Sequence, residues 1–512
     1  MPATSIELNF SNAPLFSDAG AVLTVLVCTP DSTTSDGEKS AVRWTPELET
    51  LAARFGSRDL RGLFTEESFT GQHGQVLYLP DSPAGRVLLV GVGSRQVAVH
   101  RFETALAKAL ARIKLKQLPL VAIAVPDLER PAASVVLGLV SAVYQFCYRS
   151  RETREAGPVV GRLNLHGPAD LITADAAKSL LSEVNAMCLG QALTMDLVNT
   201  PSNIKRTTTL VEQARTFEKN LGLTVEVVDD VRWIESNMPC FFTVARGSLA
   251  TDPPKWIHVI YRPNGPVQRK VALVGKAVIF DTGGYQVKTD GFMNTMKADM
   301  AGSAAVFGAM QALAMLRPDG LEVHAFFAAT PNMIDSEAML PDAIVDTTCG
   351  KKVEIRHTDA EGRLTLIDAV AMAEREGPEA IVTVATLTGA ASRAVGMGMA
   401  LLSRPAHETW RDAMEAAAHA AGDRVQTLNL MDEDFDDIKS KLDAADIINT
   451  NRGKSRGAQT AAAFVMNGAP ATRPLIHLDI AGGDMSDDEK ATGIAAKSLI
   501  QFVLHHLPAK SS

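Results

Sequence analysis

Short apolar runs alternate with amphipathic segments along most of the chain, and this alternation is typical of α/β proteins. In the first third, runs rich in Val, Leu and Ile predict strands over 21–27, 76–79, 86–93 and 118–125. Apolar residues at helical spacing predict helices over 43–54, 100–115 and 133–148. Strands that alternate with helices imply a largely parallel sheet in this part of the chain.

A polar stretch rich in Arg, Gly and Pro interrupts the alternation at 149–170. Because domain boundaries fall in exposed polar segments, we place one there. We predict an N-terminal α/β domain over 1–165, a connecting helix over 166–200 and a C-terminal domain over 201–512. Pro and Asn residues at 199–203 end the connecting helix.

The same alternation continues to the end of the chain. It predicts strands over 223–228, 256–262, 270–280, 322–330, 380–388 and 475–482. Helical spacing is found over 207–220, 301–314, 364–376, 407–422, 457–467 and 493–506. The second domain is therefore also α/β and larger, and we expect a mixed, mainly parallel sheet flanked by helices.

Composition narrows the class of protein. Of the 512 residues, 46% are hydrophobic and 21% are charged, as in globular proteins with a large core. The net charge of −9 argues against a general nucleic-acid binder. Five scattered cysteines without a CxxC pair argue against a disulfide framework and favour a reducing compartment. The N-terminus lacks the features of a signal peptide, and no apolar run has the length of a membrane span, so we expect a cytoplasmic protein.

Two glycine-bearing segments carry an unusual set of charged residues between apolar flanks. The first, 270–299, contains Lys276, Asp281, Lys288 and Asp299. The second, 357–364, reads HTDAEGRL and contains Asp359, Glu361 and Arg363. Four converging carboxylates repel one another unless cations lie between them. Oxygen ligands suit Mg²⁺, Mn²⁺ or Zn²⁺, so the set predicts a two-metal hydrolytic site.

The residue types suggest different tasks within this set. Asp281 ends an apolar strand, where the sites of α/β proteins cluster. If buried beside a metal ion, Lys276 would have a depressed pKa and could bind as a neutral amine. Lys288 is suited to polarising a carbonyl oxygen, and Arg363, which stays protonated, could hold an anion. No HExxH motif is present, which disfavours a histidine-zinc site.

Each motif has a simpler explanation when it is considered alone. A Lys-x4-Asp pair is nearly always structural, and Asp-x-Glu is common. Gly91-Val92-Gly93 after a strand could bind a dinucleotide, but the third glycine is missing and a tight turn is favoured. Only the complete set is hard to explain as solvated surface, because its flanks are apolar.

With these residues identified, the sequence resembles the leucyl aminopeptidase (cytosol aminopeptidase) family of dinuclear metallopeptidases. The family pattern Lys-x4-Asp-Ser-Gly-Gly with a further Lys and Asp is matched by Lys276, Asp281, Lys288 and Asp299, and the signature Asn-Thr-Asp-Ala-Glu-Gly-Arg-Leu by 357–364. Further similarity lies in LVNTPSN (197–203), MKADMAGSAAV (296–306), ATLTGA (385–390) and HLDIAG (477–482). The resemblance covers most of 185–506, whereas the first domain is similar to the family only in α/β character and size.

The resemblance implies two divalent metal ions per chain, zinc or manganese, with magnesium or cobalt as alternatives. One ion would be bound by Lys276, Asp281, Asp299 and Glu361, and the other by Asp281, Asp359 and Glu361. A metal ion would bind the α-amine of the substrate, and a bridging water or hydroxide would attack the scissile carbonyl while Lys288 polarises it. Arg363 would hold a bicarbonate ion that serves as general base. The family also implies a homohexamer.

The resemblance also implies a substrate pocket. Thr386, Leu387 and Gly389 match the segment that borders the substrate backbone and the first side-chain pocket. Met296 and Ala481 match positions that line this pocket.

Four residues depart from the family pattern. Thr282 replaces a serine but keeps the hydroxyl, and Tyr285 is similar to the peptidase B branch. His357 replaces an asparagine, where it either adds a pH-sensitive group or fills space. Asp484 falls near the pocket rim, where a larger apolar residue is often found. If Asp484 lines the pocket, we expect a preference for substrates whose first side chain is basic.

The resemblance thus predicts a metal-dependent aminopeptidase that releases N-terminal amino acids from peptides through a metal-activated water. The alternative is a regulatory or nucleic-acid-binding protein that keeps the fold with weak or absent peptidase activity. The acidic pI of about 5.7 and the complete metal set argue against this alternative.

Overall fold

The computed structural model of the chain divides into two compact units, Met1–Cys188 and Leu189–Ser512. The residues it describes are 7–11, 23–28, 42–55, 59–93, 105, 117–124, 159–166, 174–289, 291–451, 453 and 455–509. The helix predicted over 133–148 lies outside these residues, as does all of the helix predicted over 100–115 except Ala105, which is helical.

The described part of the first unit is a six-stranded sheet with helices. The strands are β1 (Glu7–Ser11), β2 (Leu23–Cys28), β3 (Val76–Ser82), β4 (Gly85–Gly91), β5 (Gln117–Ala124) and β6 (Val159–His166). Their order in the sheet is β1-β6-β5-β2-β4-β3, and only the β3–β4 pair is antiparallel. The helices α1 (Pro46–Phe55) and α2 (Leu60–Glu66) bury Leu48, Leu51 and Phe64 in one cluster with Leu26 and Leu89 of the sheet.

Residues 159–166 of the polar stretch at 149–170, where we expect a domain boundary, belong to the sheet of the first unit. These residues form β6, which lies inside the sheet between β1 and β5 and pairs with both in parallel. The segment reads VVGRLNLH, so apolar and polar residues alternate with the period of a strand. Because polar residues interrupt the segment, it lacks the continuous apolar run from which the other strands were predicted.

The second unit is built on an eight-stranded sheet. Its strands are β7 (Thr224–Val228), β8 (Lys255–Tyr261), β9 (Arg269–Asp281), β10 (Leu321–Asn332), β13 (Ala380–Ala385), β14 (Met399–Ser403), β15 (Val425–Thr427) and β17 (Leu475–Asp479). The order is β15-β14-β17-β13-β9-β10-β8-β7. The pairs β14–β17, β10–β8 and β8–β7 are antiparallel and the other four are parallel, which confirms the mixed, mainly parallel sheet.

Helices and a small second sheet complete this part of the chain. The helices are α3 (Ala174–Asn199), α4 (Thr207–Leu221), α5 (Val231–Asn237), α6 (Pro239–Ala245), α7 (Ala301–Leu316), α8 (Gly362–Arg375), α9 (Gly389–Val395), α10 (Glu408–Ala421), α11 (Asp432–Asp436), α12 (Gly457–Val465) and α13 (Ala496–His505). The small sheet joins β11 (Ile344–Asp346), β12 (Lys352–Glu354) and β16 (Ile447–Ile448). Helix α3 contains the boundary between the two units.

The core of the second unit lies between its large sheet and the helices. Ala272 and Val274 of β9 share one buried cluster with Phe326 of β10, Ile381 of β13 and Leu366 of α8. Burying a side chain of this size contributes about 1.5–3 kcal/mol, so such a cluster fixes the strands relative to one another. The ends of β9, β10 and β13 are therefore held rigidly. No helix of the described residues is long and apolar enough to cross a membrane.

Candidate functional site

The candidate residues meet at one edge of the large sheet. Strands β17, β13, β9 and β10 are neighbours and run parallel, so their carboxyl ends lie side by side. Asp281 ends β9, and the segment that begins at Thr386 follows β13 directly. Ala481 follows β17 after one residue. Ligands of open α/β sheets bind outside the carboxyl ends of the strands, so this edge is the expected place for a site.

A tight turn holds Asp281 in place. The Gly283 amide donates to Asp281 Oδ1 at 2.8 Å, and the turn needs glycine because φ is +88° at Gly283 and +65° at Gly284. Asn332 Nδ2, at the end of β10, donates to the same carboxylate oxygen at 2.8 Å. Thr282 Oγ1 donates to the Asn332 carbonyl at 2.8 Å, so the hydroxyl of the threonine that replaces serine ties the two strand ends together.

Asp299 and Glu361 lie just before two helices and share Lys276. Lys276 Nζ lies 2.7 Å from Asp299 Oδ1 and 2.9 Å from Glu361 Oε1, and donates to the Thr386 carbonyl at 3.0 Å. A Cβ atom at Gly362 would lie 2.4 Å from Lys276 Cε, so only glycine fits after Glu361. The three charged side chains are buried.

Lys288 joins the other two carboxylates. Its Nζ lies 2.8 Å from Asp281 Oδ2 and 2.5 Å from Asp359 Oδ1. Both Lys288 and Asp359 are partly buried. Thr358 Oγ1 donates to the Gly283 carbonyl at 2.6 Å, which ties the segment of Asp359 to the turn after β9. The two segments singled out from the sequence therefore do converge.

Burial and mutual repulsion disturb the pKa values of the cluster. Burial raises the pKa of Asp299 well above its usual value, against the pull of Lys276, and Glu361 and Asp281 add to the rise. Burial likewise raises the pKa values of Glu361 and Asp359, with Asp281 adding to both. Burial would lower the pKa of Lys276, but the neighbouring carboxylates outweigh it and raise this pKa instead. The depressed pKa expected for Lys276 refers to a site that holds a metal ion, and it stays a prediction.

The donor set fits divalent cations. Asp281, Asp299 and Glu361 each offer a ligand atom, and these atoms lie within 4.8 Å of one another. Asp299 Oδ2 is buried and has no hydrogen-bond partner. A buried carboxylate oxygen without a partner is costly, and a cation would satisfy it. All candidate ligands are oxygens apart from the amine of Lys276, which suits hard or borderline metal ions.

Arg363 lies beside the cluster as a buried guanidinium. Its Nε has no hydrogen-bond partner, and burial lowers its pKa to about 10. An anion is the natural partner for such a group, since guanidinium binds carboxylate-shaped ions bidentately. His357 is partly buried, and burial together with the charges of Arg363 and Lys288 lowers its pKa. Burial and these two cations therefore disfavour protonation of the His357 imidazole.

The five predicted pocket residues lie around the same edge. Met296 begins the short 3₁₀ segment Met296–Ala298 that leads to Asp299. Thr386 Oγ1 donates to Asp299 Oδ1 at 2.8 Å, which places the 386–389 segment against the carboxylates. Met296, Thr386, Leu387 and Ala481 are partly buried, and Gly389 is exposed.

Asp479, which the sequence pattern does not indicate as a site residue, connects the 386–389 segment to Ala481. Its Oδ1 accepts from the amides of Leu387 at 3.1 Å, Thr388 at 3.3 Å and Ala481 at 3.3 Å. Its Oδ2 accepts from Thr388 Oγ1 at 2.7 Å. The signal in the sequence is a charged residue inside the apolar run LIHLDIAG. Asn332 was also missed, because a single amide in a strand has no pattern of its own.

Comparisons with known proteins agree with this geometry. A sequence-family model described as "Cytosol aminopeptidase family, catalytic domain" matches residues 192–500. A second family model, described as "Cytosol aminopeptidase family, N-terminal domain", matches residues 40–152. The second match corrects the expectation that the first domain is similar only in character and size. The sequence of the first domain contains no short motif of charged or polar residues from which we could infer this relationship.

Individual relatives cover nearly the whole chain. A probable cytosol aminopeptidase of Gloeothece citriformis is 35% identical over 481 residues, which is 91% of this chain and 95% of that protein. The probable cytosol aminopeptidase of Nostoc punctiforme is also 35% identical, with 91% and 94% covered. Among solved structures, a K354E mutant of tomato leucine aminopeptidase matches with a TM-score of 0.86 and 30% identity, over 98% of this chain and 97% of that one.

Proposed function

Because the chain belongs to the cytosol aminopeptidase family and is a metal-dependent aminopeptidase, we propose that peptides are cleaved at the carboxylate edge described above. The single observation that carries this location is the convergence of three buried carboxylates within 4.8 Å, one with an unpartnered oxygen. We assign the catalytic domain to 201–512, the N-terminal domain to 1–165 and the connecting helix to 166–200.

The proposed metal ligands are the residues of the cluster. One divalent ion would be held by Lys276, Asp281, Asp299 and Glu361, and the other by Asp281, Asp359 and Glu361. Two such ions supply a Lewis acid and an activated water for attack on a carbonyl. Zinc and manganese are the proposed metals, since the ligand set tolerates both.

Two cationic side chains have proposed roles around the scissile bond. Lys288 is partly exposed, so its ammonium can reach the carbonyl oxygen of a bound peptide and stabilise negative charge there. Arg363 holds an anion, for which we propose bicarbonate. The unpartnered Nε of Arg363 supports this role. Burial and the charges of Arg363 and Lys288 lower the pKa of His357, which disfavours a second cation that would compete for that anion.

The pocket is proposed to lie between two loops of the sheet edge. Thr386, Leu387 and Gly389 would border the substrate backbone, and Met296 and Ala481 the side chain of its first residue. The shared hydrogen bonds to Asp479 support a fixed relation between Leu387 and Ala481. A peptidase B-like character rests only on Tyr285, whose hydroxyl donates to the Asp335 carbonyl at 2.8 Å.

We further propose a cytoplasmic homohexamer. The relatives are named cytosol aminopeptidases, and Cys28, Cys240 and Cys349 form no disulfide. Large apolar side chains are exposed in the second unit, among them Phe292 at 73% and Leu340 at 57%. Such side chains fit burial in an assembly.

A panel of aminoacyl amides tests the proposed function. Purified protein is loaded with Mn²⁺ or Zn²⁺ and compared with chelated protein, on free and N-acetylated substrates. We expect metal-dependent release from the free substrates alone. Absence of turnover with every metal, despite two bound ions per chain, would refute the peptidase and leave a binding or regulatory role.

A further inference from the structure

Asp484 lies in a tight turn that follows β17 at the candidate site. The Ile480 amide donates to the Ala385 carbonyl at 2.8 Å, which holds the start of the turn against the end of β13. The amides of Gly483 and Asp484 donate to the Ile480 carbonyl at 2.9 and 3.0 Å. The turn therefore has the hydrogen bonds of one helical turn, and its geometry is fixed from both sides.

This geometry puts Asp484 beside the proposed pocket. Residues three apart in a helical turn lie on the same side, so Asp484 is a neighbour of Ala481. The charges of Lys276 and Asp479, both at the sheet edge, act on the Asp484 carboxyl group. Thr492 donates its amide to the Asp484 carbonyl at 3.0 Å, so the returning chain holds the turn in place.

The carboxyl group of Asp484 has no cationic partner close by. Among the residues that the structure describes, no side-chain nitrogen of Lys, Arg or His lies within 4.0 Å of it. The backbone amides of Asp484 and Met485 lower the pKa of this carboxyl group, against the larger effect of burial. A partly buried carboxylate without a counter-ion is unfavourable, and a cation from outside would stabilise it.

We propose that Asp484 selects peptides whose N-terminal residue is basic, by pairing with the ammonium or guanidinium of its side chain. The inference rests on the proposed function, since it names the substrate class of the same site. An apolar wall of Met296 and Ala481 would contact the aliphatic stem of lysine or arginine, while the charged end reaches Asp484. The proposed metal ions and Lys288 would act on the backbone of the substrate, so they would not distinguish between N-terminal side chains.

Two matched substrates isolate the charge. L-Lysyl-p-nitroanilide and L-norleucyl-p-nitroanilide differ by the terminal ammonium of a linear side chain. In the wild-type holoenzyme at pH 8, we expect a higher kcat/KM for the lysyl substrate. A norleucyl substrate that is cleaved as well or better would overturn the proposal without any variant.

Two variants then assign the preference to one carboxylate. Asp484→Asn keeps the shape and removes the charge, and we expect the lysyl-to-norleucyl ratio of kcat/KM to fall about tenfold. Asp488→Asn is the matched control, since Asp488 is an exposed acid on the same loop and its loss should leave the ratio within twofold. If Asp484 only caps its turn through the amide of Met485, the ratio will not move and the proposal fails.

The proposed function and this inference fail in different ways. If neither substrate is cleaved with any metal, the peptidase itself is refuted. Binding of L-lysinamide and L-norleucinamide, measured by calorimetry on wild type and Asp484→Asn, then still decides the role of Asp484. Cleavage of both substrates with an unchanged ratio would leave the peptidase intact and remove only the preference for basic residues.

Discussion

At the scale of single residues, the candidate site combines charged side chains with residues that hold distant segments in place. Lys276, Asp281 and Glu361 stand out because charged residues next to glycines interrupt apolar flanks. Asn332 and Asp479 act on partners 51 and 92 residues away, so no local spacing points to them. Hydrogen bonds between distant segments depend on strand order, which a pattern along the chain does not contain.

Glu361 and Arg363 should be separable by mutation. Glu361→Ala removes a proposed ligand of both metals, so we expect activity to fall by at least a hundredfold with loss of bound metal. Arg363→Ala should slow turnover with metal content preserved, because its proposed partner is an anion. Metal analysis and kcat measured on the same samples check both. Near wild-type activity in Glu361→Ala would contradict the ligand assignment.

Asp479 should act on substrate binding through the loops it holds. Asp479→Asn replaces one accepting oxygen by a donor, which opposes the amides or hydroxyl now bound to it. We expect KM to rise about tenfold for dipeptide substrates while metal content stays constant. Thr388→Val, which loses the bond to Oδ2 and the bond that Thr388 Oγ1 accepts from the Ala391 amide, should give a smaller rise. A fall in kcat at constant KM would instead indicate a direct role in the reaction.

The preference proposed for Asp484 should depend on pH. Burial raises the pKa of Asp484 to about 7, with Asp479 raising it and Lys276 lowering it. The carboxyl group is therefore mainly neutral below about pH 7 and charged above it. We expect the lysyl-to-norleucyl ratio of kcat/KM to increase between pH 6 and pH 8 in the wild type. The same ratio should be flat in Asp484→Asn, and a parallel rise in both proteins would exclude Asp484 as the titrating group.

At the scale of elements, most long strands and helices with a uniform apolar face were predictable, whereas half-polar elements and the short buried strand β14 were not. The pattern over 301–314 predicts α7, and 322–330 predicts β10, whose twelve residues are all buried. It fails for β1 and β6, which alternate polar and apolar residues, and for the short α5 and α6. Short or half-polar elements form because neighbours bury one face, and that information lies elsewhere in the chain.

Lys205 links two segments of the second unit, and the sequence pattern did not indicate this link. Lys205 is fully buried, and its Nζ donates to the carbonyls of Leu197 at 2.9 Å and Val198 at 3.1 Å, at the end of α3. It also donates to the Lys297 carbonyl at 2.5 Å, within the segment that leads to Asp299. Burial and the charge of Lys297 lower the pKa of Lys205 to about 7. Through its hydrogen bonds, the amine of Lys205 ties α3 to the segment of Met296 and Asp299.

Replacing this lysine should weaken both the fold and metal retention. Lys205→Met leaves three buried carbonyls without their donor, and we expect a loss of about 3 kcal/mol in the free energy of unfolding. Equilibrium urea unfolding measures it, and metal titration should show weaker binding because the Asp299 segment is less constrained. Lys219→Met, on the exposed face of α4, is the control and should change neither quantity. Equal effects in the two variants would contradict the assignment.

At the scale of the whole molecule, the division into two α/β parts was visible in the alternation of the sequence. The boundary between the two units falls at Cys188, inside α3. The number of chains in the assembly was available only through the family resemblance. Interfaces use ordinary exposed apolar residues, which have no periodic signature.

Light scattering on the purified protein tests the assembly. We expect a mass near six times the 54.6 kDa of one chain. A charged substitution at an exposed apolar residue, Phe292→Asp or Leu340→Asp, should lower that mass if the residue lies in an interface. Asp488→Asn again serves as the control. A mass of 54.6 kDa at micromolar concentration would contradict the hexamer.

The position of β17 has a consequence for synthesis on the ribosome. Among the strands that the structure describes, β17 comes last in sequence, yet it lies inside the sheet between β14 and β13. A nascent chain that ends before residue 475 leaves one edge of each neighbour unpaired and lacks Asp479. Such a chain already carries all the proposed metal ligands, but it lacks the carboxylate that holds the loop of Leu387. The order of strands thus makes assembly of the proposed pocket depend on a segment that is synthesised after all the proposed metal ligands.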